Sequence, residues 1–404
     1  MARIKFFPAA AWIYRYSSFE DAEVVSLNSQ KMVLSYLGDG FEPDQSPARA
    51  VISFKEASLF TPSQGREAGQ DLFLDGLVDK IVWFNEAGAR LMVLDQVDLD
   101  AGLFHHYLRN EPWQAYDLLV SGGSRFISNA PDRDGNDITT GVGDDIVRIV
   151  KGGSYIKDTG GSDSYEGHAD GHDAVTYDHW NFGGRLPERG IDANLEKGRI
   201  LGPDGEIDRI SSVEEVRGTN LADVFRGNGQ DNTFHGFRGN DLMIGGGGFD
   251  IVSYRRDDES GGDDAVSVNL ARGRARDGFG TTDRLRSIEG AEGSDQDDLF
   301  RDDRGDNYFN GHDGDDRFFL KVGNDVVFGD DGADTFIFLS RKFGSDRIGD
   351  FNPDEGDRID IRAAASIDDV SIFTDMNGTG IELNGKSSVF LEDYFGAVEP
   401  YLLL

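Results

Sequence analysis

Apolar side chains recur at every ninth position in two long stretches of the chain. In the longer stretch, five consecutive nine-residue units run from Gly293 to Ile337, and the eighth position of each unit is apolar. The shorter stretch begins at Gly218 and has four such units. A flexible linker rich in glycine and aspartate would not keep this period, which is typical of a solenoid whose repeats stack on one another. The apolar eighth positions are Phe225, Phe234, Met243, Val252, Phe300, Phe309, Phe318, Val327 and Phe336.

The sixth position of each unit is an aspartate or an asparagine, and glycine begins most of the units. This pattern predicts a glycine turn over the first six residues and a short strand over the last three, so that two units complete one coil. The turns of units n and n+2 then lie side by side, and their sixth-position side chains face one gap together with backbone carbonyls. Ca²⁺ accepts such an irregular shell of oxygens more readily than Mg²⁺ does. We therefore predict several calcium ions in the turns.

The candidate metal ligands are the sixth-position side chains and the turn glycines. Five pairs are expected to share ions: Asp223 with Asp241, Asn232 with Asp250, Asp298 with Asp316, Asn307 with Asp325, and Asp316 with Asp334. The asparagines offer only a neutral oxygen, so their sites should be weaker. The full predicted set is Asp137, Asp145, Asp163, Asp173, Asp223, Asn232, Asp241, Asp250, Asp298, Asn307, Asp316, Asp325, Asp334, Gly236, Gly239, Gly245, Gly248, Gly311, Gly314, Gly329 and Gly332.

A third stretch, near residues 132–175, follows the period irregularly: Asp137 and Asp145 are eight residues apart, and Ser154 stands where an aspartate is expected. A longer repeat overlies the short one. Asp208-Arg-Ile-Ser-Ser-Val-Glu resembles Asp283-Arg-Leu-Arg-Ser-Ile-Glu, 75 residues (283 − 208) further on. We infer a duplicated unit with two inserts, at about 176–217 and 254–292. Alternation of apolar and polar residues predicts strands inside these inserts.

The sequence thus predicts an all-β protein with a parallel β-roll and β-strand inserts, preceded by a small, mostly-β domain. In that first domain, apolar runs separated by turn residues predict strands, and Asp98–Trp113 could form a helix with an aspartate cap. Residues 344–361 look like a hairpin that caps the roll. The predicted regions are 1–131, 132–343 with the two inserts, and 344–404, and the predicted N-terminal strands are 51–54, 72–74 and 80–84.

Charge and composition restrict the partners of the chain. It has 75 Asp and Glu residues against 40 Lys and Arg, which gives a net charge of −35. Nucleic acid is therefore a poor partner, because phosphate binding needs a basic face. Cysteine is absent, which excludes disulfides and thiolate metal sites. No stretch approaches the ~20 apolar residues of a membrane helix, so we expect no transmembrane segment.

The unit Gly245–Ser253, with its four glycines, Asp250 and Val252, resembles the full repeat of the RTX, or hemolysin-type calcium-binding, family. The resemblance covers roughly 132–404. Residues 344–361 look like the C-terminal module of serralysin-type metalloproteases, and the last 50 or so residues look like an uncleaved type I secretion signal. The resemblance implies bacterial export through a type I secretion apparatus, in an unfolded and calcium-poor state, with folding outside the cell.

RTX repeats accompany proteases, lipases, epimerases, toxins and adhesins, so they do not specify an activity. The zinc-protease motif H-E-x-x-H and the lipase elbow G-x-S-x-G are both absent. Two hypotheses stay open. The favoured one is a secreted, non-enzymatic protein that contacts a polysaccharide, a matrix or a cell surface. The other is an extracellular hydrolase, lyase or epimerase whose unfamiliar active site lies in the N-terminal domain or the inserts.

Three local clusters could carry chemistry. His105 and His106 could include a base or a metal ligand, His168 and His172 lie among aspartates, and Tyr177–Trp180 could contact a sugar. Adjacent residues on a helix face different directions, and the other two clusters fall in turn and core positions of the repeats. Structural roles are therefore favoured for all three.

Overall fold

A computed structural model of the chain describes residues 2–6, 22–27, 31–36, 49–60, 73–84, 90–100, 124–128, 137–169, 171–178, 187–362, 370–383 and 387–403. The regular elements of this part are strands and short 3₁₀ turns at Asp258–Ser260, Leu270–Arg272 and Glu399–Tyr401. In the described residues, no helix has the length and apolarity needed to span a membrane. The fold is an all-β roll, as the sequence predicts.

The strands follow one another in chain order at short intervals. The first are β1 Ala2–Phe6, β2 Ala22–Leu27, β3 Lys31–Tyr36, β4 Arg49–Phe60, β5 Phe73–Phe84, β6 Arg90–Asp100, β7 Ser124–Ser128, β8 Asp137–Thr139, β9 Ile146–Ile149, β10 Ser154–Lys157, β11 Ser164–Glu166 and β12 Asp173–Thr176. Then come β13 Asp192–Asn194, β14 Arg199–Leu201, β15 Ile207–Ser211, β16 Glu215–Arg217, β17 Val224–Arg226, β18 Thr233–His235, β19 Leu242–Ile244 and β20 Ile251–Ser253.

The remaining strands complete the second half of the chain. They are β21 Ser267–Asn269, β22 Arg274–Arg276, β23 Thr282–Arg286, β24 Gly290–Glu292, β25 Leu299–Arg301, β26 Tyr308–Asn310, β27 Arg317–Leu320, β28 Val326–Phe328, β29 Thr335–Phe338, β30 Ser345–Ile348, β31 Arg358–Asp360, β32 Val370–Thr374, β33 Gly378–Leu383, β34 Ser387–Glu392 and β35 Leu402–Leu403. The chain divides into two compact units: residues 1–186 with 198–215, and residues 187–197 with 216–404.

In the first unit, an antiparallel sheet continues into the parallel strands of the roll. Strands β2 to β6 pair in sequence order, β6 pairs with β1, and β1 pairs in parallel with β7. The parallel order then continues through β7, β9, β11 and β15, while β8, β10 and β12 form a second parallel sheet. The predicted strands 51–54 and 80–84 lie inside β4 and β5, and of the predicted strand 72–74 residue 72 lies outside the described part.

The helix predicted from Asp98 is wrong at its first residues. Strand β6 continues to Asp100, and Leu99 and Asp100 pair with Val78 and Leu77 of β5. Residues 101–113 lie outside the described part. The alternation of apolar and polar residues from Val97 to Asp100 suits a strand, and pairing with β5 supplies the backbone hydrogen bonds that a helix would otherwise make.

In the second unit, the nonapeptide strands alternate between two mainly parallel sheets, to which antiparallel strands are added at β21–β23 and at β32–β34. Sheet 1 contains, in spatial order, β13, β17, β19, β23, β22, β21, β25, β27, β29, β31 and β35, and sheet 2 contains β18, β20, β24, β26, β28, β30, β34, β33 and β32. Val224 pairs with Leu242 in sheet 1, and Tyr308 pairs with Val326 in sheet 2. Both registers advance by 18 residues, which confirms that two nonapeptides complete one coil.

The apolar eighth positions form the core between the two sheets. All nine of them, from Phe225 to Phe336, are 0 % exposed. The rings of Phe300 and Phe318 stack with centroids 5.1 Å apart and planes 7° apart, and Phe318 and Phe336 repeat this arrangement at 5.2 Å and 8°. Because the strands are parallel and in register, equivalent side chains stack directly on one another from coil to coil.

The second insert continues sheet 1 instead of leaving it. Strand β23 pairs in parallel with β19, β22 and β21 follow as antiparallel neighbours, and β21 pairs in parallel with β25. The strand predicted around Val266–Leu270 is β21. Three short strands therefore stand between two nonapeptide runs, and sheet 1 stays continuous in this unit.

The hairpin predicted over residues 344–361 is wrong. Its two strands belong to different sheets: β30 pairs in parallel with β28 and β31 pairs in parallel with β29. The reason is the local pattern Asp346-Arg-Ile348 and Asp357-Arg-Ile359, which repeats the sixth and eighth positions of a nonapeptide. Both segments therefore extend the roll, and Ile348 and Ile359 are fully buried in its core.

Candidate calcium sites

The sixth-position side chains are buried where each turn becomes a strand. The nine of them in the two regular runs are at most 3 % exposed. In each predicted pair, the later residue accepts the backbone N–H of the earlier one through Oδ1. The donor–acceptor distances are 2.7 Å for Asp223 to Asp241, 2.9 Å for Asn232 to Asp250, 2.7 Å for Asp298 to Asp316, 2.9 Å for Asn307 to Asp325 and 2.8 Å for Asp316 to Asp334. The structure thus brings all five predicted pairs together.

The second oxygen of these carboxylates is the chemically important one. In Asp241, Asp250, Asp316, Asp325, Asp334 and Asp346, Oδ2 is buried and makes no hydrogen bond with any described residue. A buried carboxylate oxygen without a donor is costly and rare. An oxygen-liganded cation is the group that such a site accepts, and calcium fits because these oxygens recur beside turn carbonyls.

The first sixth-position residue of each run, Asp223 or Asp298, has hydrogen-bond donors at both carboxylate oxygens. The Oδ2 atoms of Asp223 and Asp298 accept the backbone N–H of Thr219 and Ser294, at 2.7 and 2.6 Å. Their Oδ1 atoms accept backbone N–H groups from the inserts instead of from a nonapeptide. Both carboxylates are therefore satisfied within the protein, so the sites that they share have fewer oxygens without a partner.

We call the sixth-position side chains the ladder, because each later member accepts the backbone N–H of a member one coil earlier. Burial raises the pKa of the ladder carboxylates. It raises the pKa of Asp316 to about 9, of Asp334 to about 8 and of Asp325 to about 7, in each case against the lowering effect of the backbone hydrogen bond. Water is excluded from these turns, so the ionised form needs a cation nearby. The buried side chains therefore fit a divalent metal better than they fit the metal-free state at neutral pH.

The predicted glycines allow the turns of neighbouring coils to touch. Gly332 has φ +143°, and a Cβ there would lie 1.9 Å from the carbonyl oxygen of Gly314. Gly314, Gly248 and Gly239 approach carbonyls of the preceding coil in the same way, and Gly236, Gly245, Gly311 and Gly329 lie against the carboxylate of their own repeat. The close stacking predicted for turns n and n+2 is present.

Both asparagines use the whole amide in hydrogen bonds: the Oδ1 atoms of Asn232 and Asn307 accept the backbone N–H of the residue four positions earlier, and their Nδ2 atoms donate. Asn307 Nδ2 donates to the carbonyl oxygen of Glu289, which lies 18 residues earlier, at 3.1 Å. Asn232 Nδ2 donates to the carbonyl of Asp231 at 3.2 Å. These amides hydrogen-bond with carbonyls in the turn region, which is the physical basis for expecting weaker metal sites at both positions.

The irregular third stretch makes the same contacts. The N–H of Asp145 donates to Asp163 at 2.8 Å, and Ser154 Oγ donates to Asp173 Oδ1 at 2.6 Å. Asp137 is the first residue of β8 and pairs with Tyr155 of β10. Despite its frayed spacing, this stretch therefore repeats the backbone contact of the regular runs at Asp145 and Asp163.

Four aspartates that the nonapeptide count missed extend the ladder. Asp208, Asp283, Asp346 and Asp357 accept the N–H of Asp163, Asp241, Asp325 and Asp334, at 2.9, 3.0, 2.8 and 2.9 Å. The intervals range from 21 to 45 residues, because an insert or a longer turn stands where a nonapeptide would. The sequence did carry a signal: each of the four is followed by Arg and then by Ile or Leu.

Two glutamates also accept the backbone N–H of a ladder aspartate, each across an insert. Glu214 Oε2 accepts the N–H of Asp173 at 3.0 Å, and Glu289 Oε2 accepts the N–H of Asp250 at 2.9 Å. They end the two similar heptapeptides that indicate the duplication. The repeat is visible in the sequence, but the contact of each glutamate with its aspartate is not, because the two residues lie about 40 positions apart in the chain.

A compact carboxylate cluster lies in the first unit. Asp158, Asp163 and Asp208 are buried and offer oxygens within 4.8 Å of one another. The hydroxyl of Tyr165 donates to Asp158 at 2.7 Å, and that of Tyr177 donates to Asp208 at 2.6 Å. Burial raises the pKa of Asp163 and of Asp208 to about 7. These three carboxylates could hold a metal.

The other clusters named from the sequence do not form such a site in the described residues. The ring of His172 lies 2.9 Å from Glu215 Oε2, and the backbone N–H of His168 donates to Asp173. Tyr177 is a fully buried core residue. His105, His106, His179 and Trp180 lie outside the described part of the chain.

A comparison with protein families finds repeats in both regular runs. A family profile described as RTX calcium-binding nonapeptide repeat (4 copies) matches residues 217–252, 292–327 and 321–338. No curated protein matches the chain. Among solved structures, the extracellular lipase LipA from Serratia marcescens is similar over 48 % of this chain and 40 % of its own, with 17 % identity and a TM-score of 0.18. The chain therefore contains RTX calcium-binding nonapeptide repeats.

Proposed function

We propose that this is a secreted protein whose β-roll folds when it binds calcium outside the cell. The observation that carries the proposal is the row of buried carboxylates whose second oxygen has no hydrogen-bond donor among the residues that the structure describes. Asp241, Asp250, Asp316, Asp325 and Asp334 would hold the ions together with turn carbonyls. The bound ions supply positive charge to buried carboxylates that otherwise repel one another.

The coupling between metal and folding follows from ordinary linkage. A ligand that binds only the folded state stabilises it by roughly 2.7 kcal/mol per site at a free concentration 100 times its Kd. Several sites in one roll therefore contribute a free energy comparable to the net stability of a domain. Where calcium is scarce the roll would stay open, which suits a chain exported unfolded through a type I apparatus and folded in a calcium-rich exterior.

We also propose that the folded protein acts by contact, with an extracellular polysaccharide, matrix or cell surface, and not by catalysis. A pocket in the N-terminal domain or the inserts with paired carboxylates, or with a carboxylate next to a histidine, would favour an enzyme of the hydrolase, lyase or epimerase class. The three-carboxylate cluster found in the described residues is buried, with its oxygens engaged by tyrosine hydroxyls and backbone N–H groups. The burial of this cluster supports the contact role, and the contact between His172 and Glu215 is where the enzymatic alternative would be tested in the described residues.

Two measurements test the proposal separately. Calcium is titrated into chelator-treated protein while far-UV circular dichroism and the heat of binding are recorded. A gain of β signal together with binding heat is expected, and no change in either would contradict calcium-coupled folding.

A glycan array probed with and without chelator then tests the contact role. Binding that requires calcium is expected, and no binding in either condition would contradict it.

A further inference from the structure

Sheet 1 of the second unit carries a row of arginines on its outer surface. Strands β22, β23, β25 and β27 place Arg274, Arg284, Arg286, Arg301 and Arg317 at positions that alternate with buried residues. We call these five side chains the arginine face. It stands out in a chain with a net charge of −35. In sheet 2, by contrast, β24, β26 and β28 contain no arginine.

The strand register places three of these side chains, Arg284, Arg274 and Arg301, in one row across the strands. Arg284 is the direct antiparallel partner of Arg274, and Asn269 of β21 is the next residue in the same row. Arg301 follows across β25, and Phe319 follows across β27. Neighbouring strands lie about 4.8 Å apart, so the row is a continuous strip across five strands.

The arginine face is not neutralised by the protein itself. In the described residues, none of its five members forms an ion pair with a carboxylate, whereas Arg226 and Arg276 at its margins pair with Asp192 and Asp264. The guanidinium of Arg301 lies 4.0 Å from the centre of the Phe319 ring, and that of Arg317 lies 5.5 Å from it. These contacts orient the guanidinium groups but leave their charge available.

Like charges directly opposite each other destabilise a β-sheet. The Arg274–Arg284 pair therefore costs folding free energy that any neutral residue would avoid. Local conflicts of this kind are expected at functional sites. The same two arginines, with Asn240, Asp241, Leu242 and Thr282, line a surface depression of ≈ 390 Å³, so the two positive charges lie at a concave and partly polar surface beside one calcium-site carboxylate.

We propose that the arginine face binds a linear polysaccharide that carries carboxylate groups. The inference deepens the contact role proposed above and rests on it. Arginine binds carboxylates through two parallel hydrogen bonds, Phe319 offers an apolar ring beside them, and the strip is long and shallow like an extended sugar chain. At physiological salt the negative field of the acidic turns is screened beyond about 8 Å, so it does not cancel the attraction of the arginine face for carboxylates.

The test measures binding of fluorescently labelled oligogalacturonate, too short to gel with calcium, to the full chain in calcium buffer. The variant Arg274→Glu/Arg284→Glu should weaken binding about tenfold or more, because it replaces two charge-assisted donors by repelling acceptors. The control Arg341→Glu/Lys342→Glu changes the net charge equally at exposed residues outside sheet 1 and should bind like the wild type. A neutral maltooligosaccharide of equal length should bind none of them.

A second variant distinguishes loss of binding from loss of folding. Arg274→Gln/Arg284→Gln removes the like-charge repulsion, so it should melt at a higher temperature in calcium than the wild type while still losing uronate binding. Each variant is also checked for its calcium-dependent circular dichroism. A variant that keeps the calcium-induced fold but loses the uronate supports the arginine face.

Other outcomes overturn this inference in distinguishable ways. Unchanged uronate binding in both arginine variants would remove the arginine face as the site and leave the contact role standing. Binding of neutral glycans alone would do the same. Arginine-dependent binding to phosphatidylglycerol vesicles, or arginine-dependent self-association in sedimentation, would show a membrane or a second copy as the occupant. Absence of any glycan binding would contradict the contact role as well.

Discussion

Asp316 shows how one side chain serves two neighbouring coils. Its Oδ1 accepts the N–H of Asp298, its own N–H donates to Asp334, and its Oδ2 has no donor in the described residues. The residue thus links turns of three successive coils, through its carboxylate on one side and its backbone N–H on the other, and the carboxylate offers its remaining oxygen to the gap between turns. This is the residue at which hydrogen bonding and metal binding are most closely linked.

We predict that Asp316→Asn weakens calcium binding and stabilises the metal-free roll. The amide keeps an oxygen for the Asp298 N–H but carries no charge, so the calcium midpoint of folding should rise about tenfold, because affinity follows the number of charged ligands. In chelator, the free energy of unfolding near neutral pH should increase, since no buried charge is formed. Calcium titration followed by circular dichroism measures the first effect, and denaturant unfolding in chelator measures the second. Asp331→Asn, at an exposed position of a neighbouring turn, is the matched control.

We predict the opposite change for Asn307→Asp. The substitution removes the amide that donates to the Glu289 carbonyl and places a carboxylate beside that oxygen. Without calcium the protein should unfold more readily, by about 1–3 kcal/mol, which is the cost of a buried polar group without a partner. With calcium it should bind at least one more ion or bind more tightly, measured by calorimetry. An unchanged stoichiometry and affinity would show that the asparagine position is not limited by its missing charge.

At the scale of the element, the turn depends on glycine at a few positions. Gly332 combines a left-handed backbone, φ +143°, with a Cβ direction that points at the Gly314 carbonyl. An alanine there would strain the backbone and push two neighbouring coils apart. The apolar half of each repeat is more tolerant, because Met243 and Val252 occupy the same core position as the phenylalanines.

We therefore predict that Gly332→Ala destabilises the calcium-bound roll by about 2 kcal/mol or more. Gly229→Ala is the control, because a Cβ at Gly229 meets no atom within 4 Å and its φ is not in the left-handed region. Thermal unfolding in excess calcium measures the difference. Equal melting temperatures for the two variants would show that the turns separate without cost, and the close stacking would lose its importance for stability.

At the scale of the whole molecule, proton and calcium compete for the same carboxylates. In the metal-free roll, burial raises the pKa of Asp316 to about 9, of Asp334 to about 8 and of Asp325 to about 7, against about 3.9 in an unfolded chain. A raised pKa means that the folded state binds protons more tightly. This stabilisation is complete below about pH 4 and is lost as pH rises through the folded values.

The prediction is that chelator-treated protein gains β structure as pH falls from about 8 to about 5, whereas calcium-loaded protein is folded at both values. Calcium uptake at about pH 8 should release fewer protons per ion than uptake at about pH 6, because more of the carboxylates are already ionised. Circular dichroism and calorimetry in buffers of different ionisation heat measure these effects. A metal-free chain that stays equally unfolded at both pH values would contradict the raised pKa values.

Much of the fold could be predicted because the nonapeptide is a local code. The sixth and eighth positions, the glycines between them and the nine-residue interval specify turn, strand and direction of each side chain without reference to distant residues. The predicted pairs at an interval of 18 residues therefore came together. Prediction failed where the interval changed: Asp208, Asp283, Asp346 and Asp357 join the same ladder across inserts or longer turns, and Asp98–Asp100 became strand by pairing with β5.

The sequence by itself determined the repeat, its all-β character and the oxygen-rich chemistry of its turns, since these depend on residues at most two repeats apart. Tertiary structure decided which carboxylate oxygens keep a donor and which do not, how the inserts rejoin the sheets, and that Arg274 faces Arg284 across two strands. Those features arise from strand register over long chain separations, which a local periodicity does not encode.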